Sequence, residues 1–133
     1  MITGDIIKIL AEVIQKVGLQ DWVINLSIIE ERSTVQYQPR GDITYINDNL
    51  WAITYCLPTS KVAEIYLFPG LVDLKKTLIH ELLHIKYSPG IYKLMSEIEN
   101  NTALSPTEAR EEHRKLRHME HEVIDMFLPT YLK

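Results

Sequence analysis

The stretch TLIHELLHIKY, residues 77 to 87, limits this chain more than any other feature, because it sets His80, Glu81 and His84 inside an apolar run. Leu74, Leu78, Ile79, Leu82, Leu83 and Ile85 repeat at helical spacing around them, so the three polar residues belong to a helix that packs inward. An unpaired carboxylate and two imidazoles are costly in such a place. Residues four apart share a helix face, so His80 and His84 can direct two nitrogens at one point, and zinc accepts imidazole nitrogen at roughly 2.0–2.1 Å. Glu81 projects about 100° round the helix from His80, where a carboxylate can serve as general base towards a zinc-activated water. HELLH therefore satisfies the H-E-x-x-H pattern in full, and one Zn2+ ion is the expected cofactor. The bland alternative is an ordinary helix carrying three polar side chains.

The rest of the chain supplies a small fold for this helix. Its 133 residues suit one domain over 1–133. Ile6, Ile7, Ile9, Leu10, Val13, Ile14 and Val17 form an amphipathic stripe over residues 4–17, and Gly18 is placed to end that helix. DWVINLSIIEE alternates Val23, Asn25 and Ser27 with Ile24, Leu26 and Ile28, as a strand does. Ile43 to Ile46 and Trp51 to Leu57 read as hairpin partners across Asn47-Asp48-Asn49, and Glu64 to Gly70 as a further strand ending near Pro69. The HELLH helix is expected to stop at Ser88-Pro89-Gly90, with a mixed segment from 91 to 104. Ser105, Pro106 and Glu108 make a capping box for a last helix running to about Phe127, with Pro129 beyond it. This order predicts an α+β domain: an N-terminal helix, a small mainly antiparallel sheet of three or four strands, and helices on one face.

Charge and composition narrow the partners. The net charge is −4, and the short Arg114, Lys115, Arg117 patch lies among glutamates, which disfavours nucleic acid. Charged residues interrupt the N-terminal helix, so neither a signal peptide nor a membrane span is expected, and a cytoplasmic location follows as the default. Cys56 is the single cysteine, which excludes an internal disulfide and a C-x-x-C site and leaves a buried thiol. Trp22 and Trp51 read as packing residues.

AEIYLFPGLVDLKKTLIHELLHIKY resembles the strand and active-site helix of zincin metallopeptidases. The resemblance implies a minimal zincin-like domain that hydrolyses peptide bonds, with Glu81 as base and a peptide or protein as partner. It also implies that Glu64, Ile65, Tyr66, Leu67 and Phe68 form an edge strand to which an extended peptide adds. Metzincins carry a glycine three residues and a histidine six residues past the second histidine; Tyr87 and Gly90 stand there, which excludes that branch. Gluzincins take a glutamate from a later helix, and RHMEHEVIDMF offers it, so the chain is similar to the small soluble minigluzincins. Taking Leu116, Met119, Val123 and Phe127 as the inward face sets Glu120 at its margin as third ligand, and Glu122 towards solvent. His121 is the alternative third ligand, since His121 and Asp125 keep the spacing of a gluzincin ligand and its orienting carboxylate. His113, His118, Tyr87 and Tyr92 are open choices for stabilising an oxyanion. The tail FLPTYLK is short and apolar enough to enter a cleft and hold the enzyme latent. Two further readings stay open: a catalytically silent zinc-binding scaffold, such as a regulatory or phage accessory module, and a closed structural zinc site. A monomer or small homo-oligomer is expected.

Overall fold

A computed structural model describes residues 3–29, 42–46, 52–68 and 73–132. Helix α1 (Thr3–Val17) leads into β1 (Val23–Ile28), β2 (Ile43–Ile46), β3 (Ala52–Leu57) and β4 (Val62–Leu67), followed by α2 (Leu74–Glu99) and α3 (Pro106–Tyr131). The architecture is the expected α+β layout. Asn47-Asp48-Asn49, Trp51, Pro69 and Gly70 lie outside the described residues.

Local signals end α1 and start both long helices. Ile6, Leu10, Val13 and Val17 form the buried stripe of α1, and Gly18 adopts a left-handed φ of 87° that turns the chain back, with Leu19 donating to the Ile14 carbonyl at 3.0 Å. Asp73 caps α2 by accepting from the Lys76 backbone at 3.0 Å. Ser105 and Glu108 form the reciprocal capping box at the start of α3, both bonds being 3.1 Å.

The sheet runs β1-β4-β3-β2, with β1 parallel to β4 and the other two pairs antiparallel. Helices cover one face through a core that includes Leu10, Tyr45, Cys56, Ile65, Leu82 and Ile124. The opposite face is not bare: Ile53, Tyr55 and Phe68 form a second, smaller cluster. Register then decides what meets α2. Tyr45 of β2 pairs directly with Thr54 of β3, so both side chains stand side by side on the helix-facing surface.

This topology corrects the reading of Glu64, Ile65, Tyr66, Leu67 and Phe68 as an edge strand. β4 is bonded to β1 on one side and β3 on the other, so its backbone groups are already paired and it has no free edge for a peptide. Phe68 lies just past the strand, buried in the small cluster on the far face.

Two helix ends and one helix face also differ from expectation. α2 passes straight through Ser88-Pro89-Gly90 and takes in residues 91–99 of the segment read as mixed, leaving 100–104 as the turn before α3. Proline removes the bond that would have reached the carbonyl four residues back, that of Ile85; the buried Ser88 hydroxyl donates to that same oxygen at 2.7 Å. α3 likewise runs through Pro129, and the tail is helical as far as Tyr131, whose hydroxyl lies 3.3 Å from Lys86 Nζ near the end of α1. The inward face of α3 is Leu116, Glu120, Ile124 and Leu128, while Met119 and Phe127 are exposed. Glu120 is therefore in the middle of that face rather than at its margin. No helix of the described residues is long and apolar enough to cross a membrane.

Candidate metal centre

α2 crosses the helix-facing side of β2 and β3 and packs on α3, which brings HELLH against both layers. His80 is half-buried, Glu81 and His84 are buried, and His121 of α3 is exposed. His80, His84 and His121 each offer a nitrogen within 4.8 Å of the other two, close enough to hold one metal ion. The alternative third ligand joins the cluster; Glu120 does not.

Glu120 has a different position. Its Oε2 lies 3.0 Å from His84 Nδ1, on the other side of the ring from the cluster, where His84 Nε2 faces His80 Nε2 at 3.1 Å. A carboxylate accepts, so His84 donates from Nδ1 and keeps the Nε2 lone pair free. The other oxygen, Oε1, lies 3.2 Å from Arg117 Nε. Glu120 is thus placed to orient a histidine, the usual companion of a metal-bound imidazole. The physical reason for the correction is the shift of the inward face: at the centre of the α3 interface a glutamate meets the far edge of the His84 ring.

His121 is held in the same tautomer by a different device. Its Nδ1 lies 3.0 Å from the Arg117 backbone oxygen, which can only accept, so Nε2 is again left with its lone pair. Three imidazole nitrogens are a donor set that zinc, among other divalent metals, accepts. Two nitrogens bound tetrahedrally at the usual length lie roughly 3.3 Å apart, close to the 3.1 Å between His80 and His84. Burial holds the His80 imidazole below its ordinary range, opposed by the Glu81 charge and aided by the neighbouring histidines. That keeps a proton off a prospective ligand.

Glu81 points to the sheet. It is 1% exposed, and the equally buried Thr54 hydroxyl donates to its Oε2 at 2.7 Å. Tyr45, beside Thr54, stacks on His84 with ring centroids 4.1 Å apart, and burial followed by the Glu120 charge pushes its hydroxyl well above the ordinary range. The cross-strand pair thus supports the two consecutive chemical positions of HELLH. Sequence reading missed Thr54, Tyr45 and Arg117. A threonine and a tyrosine in strands look like ordinary sheet residues, and the one available signal for Arg117 was its place one turn before His121.

The remaining residues stand apart from the cluster. Asp125 is exposed and acts on His80 through its charge. Glu122 pairs at the surface with His118 at 2.8 Å, and half-buried His113 lies 3.8 Å from Glu99 at the end of α2. Tyr87 and Tyr92 pack partly buried against the core, as does Trp22. Cys56 is fully buried, and burial pushes its thiol up to about 12, which leaves it inert at neutral pH. Compared with known proteins, the chain matches no family model, no curated protein and no solved structure.

Proposed function

We propose that the chain is a zinc-dependent hydrolase of peptide bonds, with His80, His84 and His121 holding the ion and Glu81 as general base. The observation that carries this reading is the convergence of three imidazole nitrogens from two helices on one point, next to solvent through His80 and His121. Three protein ligands leave a fourth position for water or substrate, as hydrolytic zinc sites do, whereas structural sites close with four. Zinc bound there supplies an acidified water, with pKa near 7, and a Lewis acid for a carbonyl oxygen.

The chain supplies the rest. Glu120 and the Arg117 carbonyl keep His84 and His121 in tautomers with Nε2 free. Thr54 holds the Glu81 carboxylate in one rotamer, and Glu81 takes a proton from water and later returns it to the leaving amine. A peptide substrate rests on the likeness of HELLH and its helix to zincin peptidases, with no role for β4 as the binding edge.

A second reading, the catalytically silent zinc-binding scaffold, draws support from the near-complete burial of Glu81 against Thr54. Metal analysis of protein purified without added metal, followed by assay of wild type and Glu81→Gln on a quenched peptide library, separates the two. One zinc per chain and a loss of about 10²–10⁴-fold in Glu81→Gln is the expected result. Zinc binding without Glu81-dependent cleavage favours the scaffold, and a chain that takes up no zinc defeats both.

A further inference from the structure

Four side chains close a ring about the imidazole of His84. Its Nδ1 meets Glu120 Oε2 at 3.0 Å; Glu120 Oε1 meets Arg117 Nε at 3.2 Å; the Arg117 guanidinium lies 4.7 Å from the Tyr45 ring centroid; and Tyr45 stacks on His84 at 4.1 Å with 26° between planes. The ring draws one member from α2, two from α3 and one from β2, so it ties three elements together at one imidazole.

Each contact removes a different freedom of His84. The carboxylate fixes which nitrogen carries the proton, and the tyrosine fixes the ring plane. Arg117 is the member both depend on. It brings the positive charge beside a carboxylate only 2% exposed, and its guanidinium lies over the Tyr45 ring. The Arg117 Nε–H and Glu120 Oε1 have no directed hydrogen bond, so the link is charge pairing at close range, which a neutral side chain cannot replace. Arg117 also bears the carbonyl that accepts from His121 Nδ1.

We propose that Arg117 is a positioning residue for the metal centre: through Glu120 and Tyr45 its side chain sets the tautomer and plane of His84, so that affinity for zinc depends on a group that is not a ligand. This rests on the reading of the histidine cluster as a zinc site. Companions of metal-bound histidines characteristically change affinity by about 10–100-fold when lost.

The test uses the full chain, stripped of metal, with zinc affinity measured by competition against a chromogenic chelator. Arg117→Met is expected to bind zinc about 10–100-fold more weakly. Arg117→Lys, which keeps the charge but not the planar guanidinium, falls between it and wild type. Arg114→Met, which removes an exposed pair with Glu111, leaves affinity unchanged. Long-range proton–nitrogen spectra of the metal-free protein give a second readout: wild-type His84 is protonated at Nδ1, and Arg117→Met gives a mixture of tautomers. A purely structural role lowers the unfolding midpoint but moves neither the tautomer nor the affinity of the folded protein. Should Arg117→Met not fold, Arg117→Lys carries both measurements. Wild-type affinity and tautomer in the Arg117 variants overturn the proposal, whereas a wild-type chain that binds no zinc overturns the reading beneath it.

Discussion

Glu81 and Glu120 are the buried carboxylates of the described residues, and they are held in opposite ways. Each comes from a long helix, each adjoins a histidine of the cluster in sequence, and they are 1% and 2% exposed. Glu81 meets one neutral donor, the Thr54 hydroxyl. Glu120 is boxed between an imidazole and a guanidinium. A carboxylate paired with a cation and an imidazole is committed to maintaining a geometry, since either partner is left with unmet polar groups if it moves. One with a single neutral partner is not tied to a counterion, which leaves it free to exchange a proton. Both are buried on long helices; the partner across the interface separates the roles proposed for them.

The largest expected effect breaks the Glu120 side of that contrast. Glu120→Ala leaves the half-buried Arg117 without its counter-charge and the buried His84 without its acceptor, and should cost about 2–4 kcal/mol in urea unfolding of the metal-free chain. A loss below about 1 kcal/mol, the range of exposed pairs, means that Arg117 and Glu120 do not act as a pair in solution. Thr54→Val keeps the branched shape and removes the donor to Glu81, for a loss of about 1–3 kcal/mol. If it proves neutral, Glu81 is solvated and the likeness in burial between the two carboxylates is wrong.

Glu81→Gln sharpens the difference instead. The amide oxygen still accepts from Thr54, so unfolding should change by less than about 1 kcal/mol, while hydrolysis falls by the factor given above. A large stability loss here, equal to that of Glu120→Ala, would erase the distinction between a holding and a reacting carboxylate.

The smallest effect is a pH dependence at His80. Burial keeps the folded-state pKa of this imidazole below its ordinary value of 6.5. Between those two values the unfolded chain binds more protons than the folded one, so the His80 contribution is fully present above about pH 6.5 and is lost as pH falls through that window. The urea midpoint of the metal-free chain should therefore decline on acidification, and His80→Asn should flatten the decline. An unchanged slope in that variant assigns the dependence to another group.

Much of the fold was legible because its signals are local. Gly18 ends α1 by adopting a backbone that other residues avoid, and Ser105 with Glu108 starts α3 using atoms three residues apart. The break expected at Pro89 did not occur because Ser88, its immediate neighbour, satisfies the one carbonyl the proline frees. The inward face of α3 was misplaced because Met119 and Phe127 are as apolar as core residues. What decides their exposure is the polar Glu120, drawn inside by His84 and Arg117. A hydropathy pattern scores a glutamate as surface and has no way to weigh a partner on another element.

The sequence by itself determined that His80 and His84 share a helix face with Glu81 beside them, because a helix converts spacing into direction without outside help. It also determined the α+β order of elements. Tertiary structure alone decided that His121 completes the cluster while Glu120 orients His84, that Thr54 and Tyr45 stand beneath HELLH, and that β4 lies inside the sheet. Those outcomes depend on strand register and on the rotation of α3 about its axis. Both are set by pairings between residues far apart in the chain, for which a linear pattern carries no distance.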